Sequence, residues 1–347
     1  MSIKILNGGL MTTVQDMGRF GYQASGMQVS GVMDVYSASI ANTLVGNDVR
    51  AAVLETTFLG PELEIMDSCL IAVAGGLPEL MVDGQKVECY KALRLNKGQK
   101  LRCGGMSQGI RSYIAVAGGF SVPEILESRS TNLKLGIGGL EGRQLAAGDI
   151  LAIGEPSDFA KAILAGKAMP GSCRPVTGQG DVTELRVVLG PQDNYFSSTT
   201  INEVFAQGIY TVSNNSDRMG YRLEGEPVKW ENDKDMITDG IVFGSVQIPP
   251  NGQPIIMMAD HQTTGGYPKI ATVISADLPV LAQCTPGTRV HFSIVTVQEA
   301  QRIYREFVSG LNNRLENIKR SPVGKNKVVN YELKVNGQLF QVSVEEM

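Results

Sequence analysis

The stretch IIMMADHQTTGGYPK, residues 255–269, gathers an acid, an imidazole, an amide, two hydroxyls, a phenol and an amine behind an apolar run. An apolar strand ending in such residues delivers their side chains to its rim. Asp260 and His261 are the groups there that can move a proton. Lys269 adds positive charge, Thr263 and Thr264 add hydroxyls, and Tyr267 adds a phenol. Gly265 and Gly266 let backbone N–H groups come close to a ligand. Donors of this kind bind a carboxylate, or stabilise an oxyanion as a carbonyl is attacked. The plainer alternative is a polar turn capped by Asp260, with His261 exposed.

Two further stretches carry similar chemistry. In SNNSDRMGYRL (213–223), Arg218 has the shape for a two-pronged grip on a carboxylate, with Asp217 and Tyr221 beside it. The alternative is an Asx turn with Arg218 paired to Asp217. In TTVQDMGRFGYQASGMQVSGVMD (12–34), Gln15, Asp16, Arg19, Tyr22, Ser30 and Asp34 lie between glycines with few apolar positions. That pattern suits a long loop lining a cleft, or a solvated one. Gln192 and Asp193 are further polar candidates. No GxxxxGK[ST] phosphate loop occurs, and GIGGLEG (136–142) imitates a dinucleotide fingerprint without a strand–helix–strand context. AVAGG, present twice, reads as a strand-to-turn device. Two histidines and five scattered cysteines without a CxxC pair predict no metal site and free thiols in a reducing cytoplasm.

These residues need a scaffold, and composition limits it. The chain has 347 residues, 43% hydrophobic and 19% charged, with a net charge of −4. That is enough for two cores and offers no basic surface for nucleic acid or acidic membranes. No run approaches the roughly 18 apolar residues of a membrane span, and the N-terminus does not read as a secretory signal. Forty glycines, well above the usual ~7%, sit among short Val/Ile/Leu runs and indicate many tight turns between strands. Asp83-Gly84 marks a hairpin. Helices are few. One spans 34–47, capped by Asp34 and stopped at Gly46. A longer one opens with a Thr296/Glu299 capping box, carries Ile303, Phe307, Leu311, Leu315 and Ile318 on one face, and stops at Pro322.

An internal repeat organises the chain. QDMGRFGY (15–22) echoes SDRMGYRLEG (216–225), and LGPELEIMDSCLIAVAGG (59–76) echoes IPPNGQPIIMMADHQTTGG (248–266). Two copies suggest two related β-barrels rather than a solenoid. The predicted division is a first barrel at 1–153, a linker at 154–180, a second barrel at 181–295, and a C-terminal helix and hairpin at 296–347. The hairpin is marked by Asn336-Gly337. It looks like the opening of a biotinyl carrier domain, but no Met-Lys-Met follows; an ordinary edge hairpin is the alternative.

Several blocks carry a family resemblance: GLMTTVQDMGRFGYQASGMQVSGVMD, LETTFLGPEL, YIAVAGGF…ILESRSTN, GPQDNYF, SDRMGYRLEG and GSVQIPPNGQPIIMMADHQTTGGYPK. They resemble the family of 5-oxoprolinase C subunits, also called biotin-dependent carboxyltransferase, allophanate hydrolase subunit 2 or urea amidolyase-related. The resemblance is collinear over about residues 1–295. It implies two tandem cyclophilin-like β-barrels in a cytoplasmic component of an ATP-dependent 5-oxoprolinase. Such a component works with a cyclophilin-like B-type partner and a separate A-type partner, and the enzyme opens 5-oxo-L-proline to L-glutamate. ATP is then a co-substrate that a partner chain can bind. The sister context is a carboxyltransferase that moves CO2 from biotin on a partner chain to urea or a related amide. A third context is a non-enzymatic regulator that binds a kinase-inhibitor-like partner.

Overall fold

The computed structural model describes residues 1–164, 181–230, 236–320, 329–335 and 338–344. The fold is mainly β. In the first half, six strands from Ser2–Asn7 to Ile150–Ala152 form one sheet, and five from Met11–Gln15 to Arg111–Val116 form another. Isolated bridges Leu59–Gly105 and Phe120–Ile153 tie the two sheets at their edges, so hydrogen bonding around this half is less continuous than in the second. Leu54, Leu63, Ile71, Val73 and Ile114 fill the space between the sheets.

Strand Cys69–Gly75 shows why the sequence reads as an unbroken apolar run there. Side chains alternate across a strand, so Cys69, Ile71 and Val73 face the inter-sheet core. Leu70, Ala72 and Ala74 face the other way, onto helix α1 (Val35–Leu44). Both faces are covered, so neither needs polar residues. Asp34 caps α1 by accepting from the Ser37 N–H at 2.9 Å. Gly46, at φ +75°, closes its end. The Asp83-Gly84 hairpin forms as expected, with Val82 opposite Gln85 and both turn residues at positive φ.

The second half is a closed barrel of seven strands between Val182–Leu189 and Arg289–Ile294. Those two end strands run parallel, with Val182 opposite Arg289, and seal the ring. Its core includes Leu185, Val246, Ile256 and Ile270, with the Phe205 and Phe292 rings stacked at 4.5 Å. Truncating Phe292 to alanine would cost about 3–5 kcal/mol in such a core.

Helix α2 (Asp158–Leu164) occupies the early part of the expected linker, and its Ala160 is buried in the α1 layer. The rest of that linker, 165–180, lies outside the described residues. After a short helix α3 (Leu278–Ala282) comes α4 (Val297–Arg320), whose Glu299 N–H is capped by Thr296 Oγ1 at 3.2 Å. Ile303 packs beside Ile274 of the second half, while Leu315 and Ile318 enter the α1 layer of the first. Pro322, the expected stop, is outside the described residues. Strands Val329–Val335 and Gln338–Val344 pair antiparallel; the Asn336-Gly337 turn between them is also outside. No helix among the described residues is long and apolar enough to cross a membrane.

Candidate functional site: a polar seam between the halves

Three glycine-punctuated segments meet where the halves touch. In the first half, Asp16 is the organising acid. Its Oδ1 accepts from Ser128 Oγ at 2.6 Å, Ser130 Oγ at 2.5 Å and the Gly18 N–H at 2.9 Å, and its Oδ2 accepts from the Arg129 N–H. Four donors on one carboxylate fix the 16–19 loop against ESRSTN (127–132). Gln15 is spent on structure, donating to Thr13 Oγ1 and to the Thr131 carbonyl. Ser30 accepts from Asn132 Nδ2 at 3.0 Å, and its N–H donates to the Ala259 carbonyl of the second half.

Arg19 is the unusual member. It is 0% exposed, and Nη2 donates to the Ser130 carbonyl at 2.6 Å. Its Nη1 is buried without a hydrogen-bond partner among the described residues. A buried unsatisfied donor typically costs about 1–3 kcal/mol, so one that persists calls for a reason. Burial lowers the Arg19 pKa from its ordinary value, opposed by the nearby Asp16 and Asp260 carboxylates.

In the second half, Arg218 and Asp260 form a forked ion pair through Nε at 2.9 Å and Nη2 at 3.1 Å. Arg218 Nη1 donates to Glu55 of the first half, and Nη2 to the Gly31 carbonyl at 2.6 Å. Burial works against its charge, but Asp260 and Glu55 more than offset this and hold its pKa above the ordinary value. The sequence reading has Arg218 gripping a ligand carboxylate or Asp217; instead protein acids from two segments fill its guanidinium. Asp217 turns its carboxylate to the N–H groups of Met219 and Gly220.

His261 is 5% exposed, not a solvated turn residue. Its Nδ1 lies 2.6 Å from the Gln262 carbonyl. A carbonyl only accepts, so Nδ1 carries the hydrogen and the neutral ring keeps a lone pair on Nε2. Burial lowers the His261 pKa, opposed by that hydrogen bond and by Asp260. The result is a neutral imidazole at physiological pH, the form a general base requires.

The remaining sequence candidates are dispersed. Lys269 is not an open cation: its buried ammonium contacts Asp239 Oδ2 at 2.7 Å and the Gly240 carbonyl at 3.0 Å. Asp239 is held down to about 2 by Lys269, helped by Gln192. Tyr221 is buried, and its hydroxyl accepts from Arg111. Thr264 and Gly265 pair with Gly240 and Asp239, so their backbone is partly used, while Gly266 and Tyr267 are exposed and Thr263 is half-buried. Asp34 serves α1, and its Oδ2 accepts from Gln283 at 2.9 Å across the halves. Its pKa is raised by burial, opposed by bonds from Ser37 and Gln283. Gln192 and Asp193 stay outside the seam; Gln192 serves Asp239 and the Lys269 N–H.

The seam also uses residues the sequence did not single out: Glu55, Ser128, Ser130, Asn132 and Arg111. GIGGLEG is no nucleotide loop; Gly138 packs against the Ser130 carbonyl and Arg19. Two clefts flank this region. One of about 460 Å³ is lined by Asp217, Met219, Gln247, Gln262 and Tyr267. It adjoins the seam through Met219 and Gln262, the chain neighbours of Arg218 and His261. The other, about 520 Å³, lies between the halves beneath α4, but its polar groups Asp34, Tyr90 and Arg186 already have protein partners. Among the described residues, no group of three His, Cys, Asp or Glu side chains could hold a metal ion.

Two joined β units share a buried polar seam, and the candidate site draws on both halves. The chain belongs to the carboxyltransferase domain family, matching its subdomains A and B over residues 25–294. It is 38% identical over 318 residues to the C subunit of Escherichia coli 5-oxoprolinase, covering 90% of this chain and 99% of that protein. It is 33% identical to the urea amidolyase of Lachancea kluyveri, covering 87% of this chain but 17% of that much longer protein. Its fold is similar to the crystal structure of Kluyveromyces lactis urea carboxylase, with a TM-score of 0.80 and 26% identity over 99% of this chain and 32% of that one.

Proposed function

We propose that this chain is one component of an ATP-dependent 5-oxoprolinase, acting with B-like and A-like partner chains to open 5-oxo-L-proline to L-glutamate. The observation that carries the reading is the pairing at Asp260. A neutral imidazole, His261, and a buried guanidinium with a free N–H end, Arg19, both feel the same carboxylate. The higher identity to the Escherichia coli 5-oxoprolinase component than to urea amidolyase favours the lactam as substrate.

A lactam resists water because its nitrogen lone pair is delocalised into the carbonyl. Transfer of the γ-phosphoryl group of ATP to the carbonyl oxygen releases ADP and makes the carbon electrophilic. Water then adds as His261 Nε2 takes its proton. The ring C–N bond breaks with a proton delivered to nitrogen, leaving an acyl phosphate, and a second water hydrolyses this to the carboxylate and phosphate. The Arg19 Nη1 donor suits the charge on oxygen that develops during addition. Asp260, held by Arg218, supports the imidazolium formed at His261.

The test is reconstitution with the partner chains and measurement of glutamate released from 5-oxoproline with ATP. Release that falls at least about a hundredfold in His261→Gln is expected for loss of a general base. No ATP-dependent release from the assembled complex would overturn the proposal. A second reading, a carboxyltransferase taking CO2 from biotin on a partner, draws on the likeness to urea carboxylase over nearly the whole chain. Avidin-sensitive carboxylation of urea or a related amide, without glutamate release, would establish it instead.

A further inference from the structure

Glu55 sits at the centre of the inter-half contact yet touches none of the proton-moving groups. It lies on strand Val53–Thr57 and is 2% exposed. Its Oε2 accepts from the Met33 N–H at 2.8 Å, and its Oε1 accepts from Arg218 Nη1. The Tyr113 hydroxyl bonds to it as well, and Arg111 Nε lies 3.9 Å from Oε1. Met33 and Tyr113 fix the carboxylate to the first half; Arg218 carries its charge into the second. Arg218 in turn fixes Asp260, the residue before His261.

We infer that Glu55 is a positioning residue: through Arg218 it sets the place and charge balance of Asp260 and His261, so the base is assembled only when the two halves are docked. The geometry is over-determined on both sides of Glu55. Each Arg218 nitrogen has a named acceptor, so the guanidinium cannot turn without breaking a buried charged bond. Removing the Glu55 charge leaves Arg218 to act on Asp260 alone. The field at His261 then becomes more positive, and protonation of the ring becomes harder. The charged groups that bear on the ring are Asp260 directly and Arg218 and Arg19 through it, with Asp16 and Glu55 behind them.

The role of His261 as a base rests on the function proposed above; the position and titration of its ring do not. The chain has two histidines, so ring signals in the full-length protein can be assigned with His291→Gln. In Glu55→Gln, the His261 titration midpoint should fall by about 0.5 unit or more. In Arg218→Gln it should rise, because a cation next to Asp260 is lost. Glu55→Asp keeps the charge and should hold the midpoint near the parent. In the reconstituted complex, Glu55→Gln should lower kcat about tenfold or more with KM within about twofold, as expected for misplacement of a reacting group. A folded Glu55→Gln protein with an unmoved His261 titration would overturn the inference, whatever the reaction proves to be. If Glu55→Gln does not fold, Glu55→Asp decides. A lowered kcat with unchanged KM supports the role, since the shorter side chain cannot keep both Met33 and Arg218. Unchanged kinetics would end it. A complex without glutamate release, in which the titration still moves as stated, would sink the proposed reaction and leave the positioning role standing.

Discussion

Arg218 and Asp260 are 42 residues apart in sequence, yet their side chains share two hydrogen bonds of 2.9 and 3.1 Å inside the protein. Replacing Arg218 with methionine would leave Asp260 as a buried carboxylate without its cation, and Glu55 with only Arg111, 3.9 Å away. The expected loss is about 3–5 kcal/mol, because the uncompensated charge, not the lost contact, dominates. Urea unfolding measures it. Arg218→Met/Asp260→Asn should lose less than the sum of the single changes, since the two side chains form one unit.

The His261 ring should govern an acidic limb in both stability and rate. Its folded pKa lies below the ordinary 6.5, so the unfolded chain binds the proton more readily. Its contribution to stability is present above pH 6.5 and is lost as pH falls toward the folded value. His261→Gln should flatten that part of the urea-midpoint profile. A profile unchanged by the substitution would show that the ring titrates normally.

Asp34 carries the opposite sign. Burial raises its carboxyl pKa in the folded chain, so its contribution is complete below the ordinary 3.8 and fades as pH rises through the folded value. Asparagine keeps the helix cap without the charge. Relative to the parent, Asp34→Asn should therefore gain stability between pH 4 and pH 7. Asp34→Ala removes the same charge but also the cap, so it should be about 1 kcal/mol less stable than Asp34→Asn at either pH.

Arg19→Lys keeps a positive charge while removing both the fork that bonds Ser130 and the free Nη1 donor. Under the proposed function, kcat for 5-oxoproline should fall about tenfold or more with KM little changed, the worth of a hydrogen bond to a charge that forms only in the transition state. Steady-state kinetics with the assembled complex would show it, and an unaltered kcat would remove Arg19 from that role.

Gly138 sits at φ +71°, where an added Cβ would lie 2.0 Å from the Ser130 carbonyl oxygen and 2.8 Å from Arg19 Nη2. Both the backbone angle and the space forbid a side chain. Gly138→Ala should cost more than about 1 kcal/mol and, by pushing Arg19, lower turnover as well.

Much of this arrangement was legible in the sequence because local chemistry marks it. The Asp34 cap, the Asp83-Gly84 hairpin and the Thr296 cap are short-range signals, and each forms where the residues point to it. The polar residues around Arg218, Asp260 and Arg19 were also visible as types. Their partners were not. Glu55 stands in LETTFLG, where nothing local distinguishes a strand glutamate from a surface one; only the docking of the halves gives it Arg218. Lys269 failed in the opposite way: its charge suggested a ligand, and Asp239, 30 residues away, claimed it. Burial and long-range pairing are properties of the assembled core, so single-residue chemistry does not reveal them.

Helix α4 spans 24 residues, about 36 Å of straight rod, with one end against the second half and the other in the α1 layer of the first. A rod fastened at both ends couples the melting of one half to that of the other. Heating should therefore give a single calorimetric peak. Cutting the rod's grip on the first half with Leu315→Asp should split it in two.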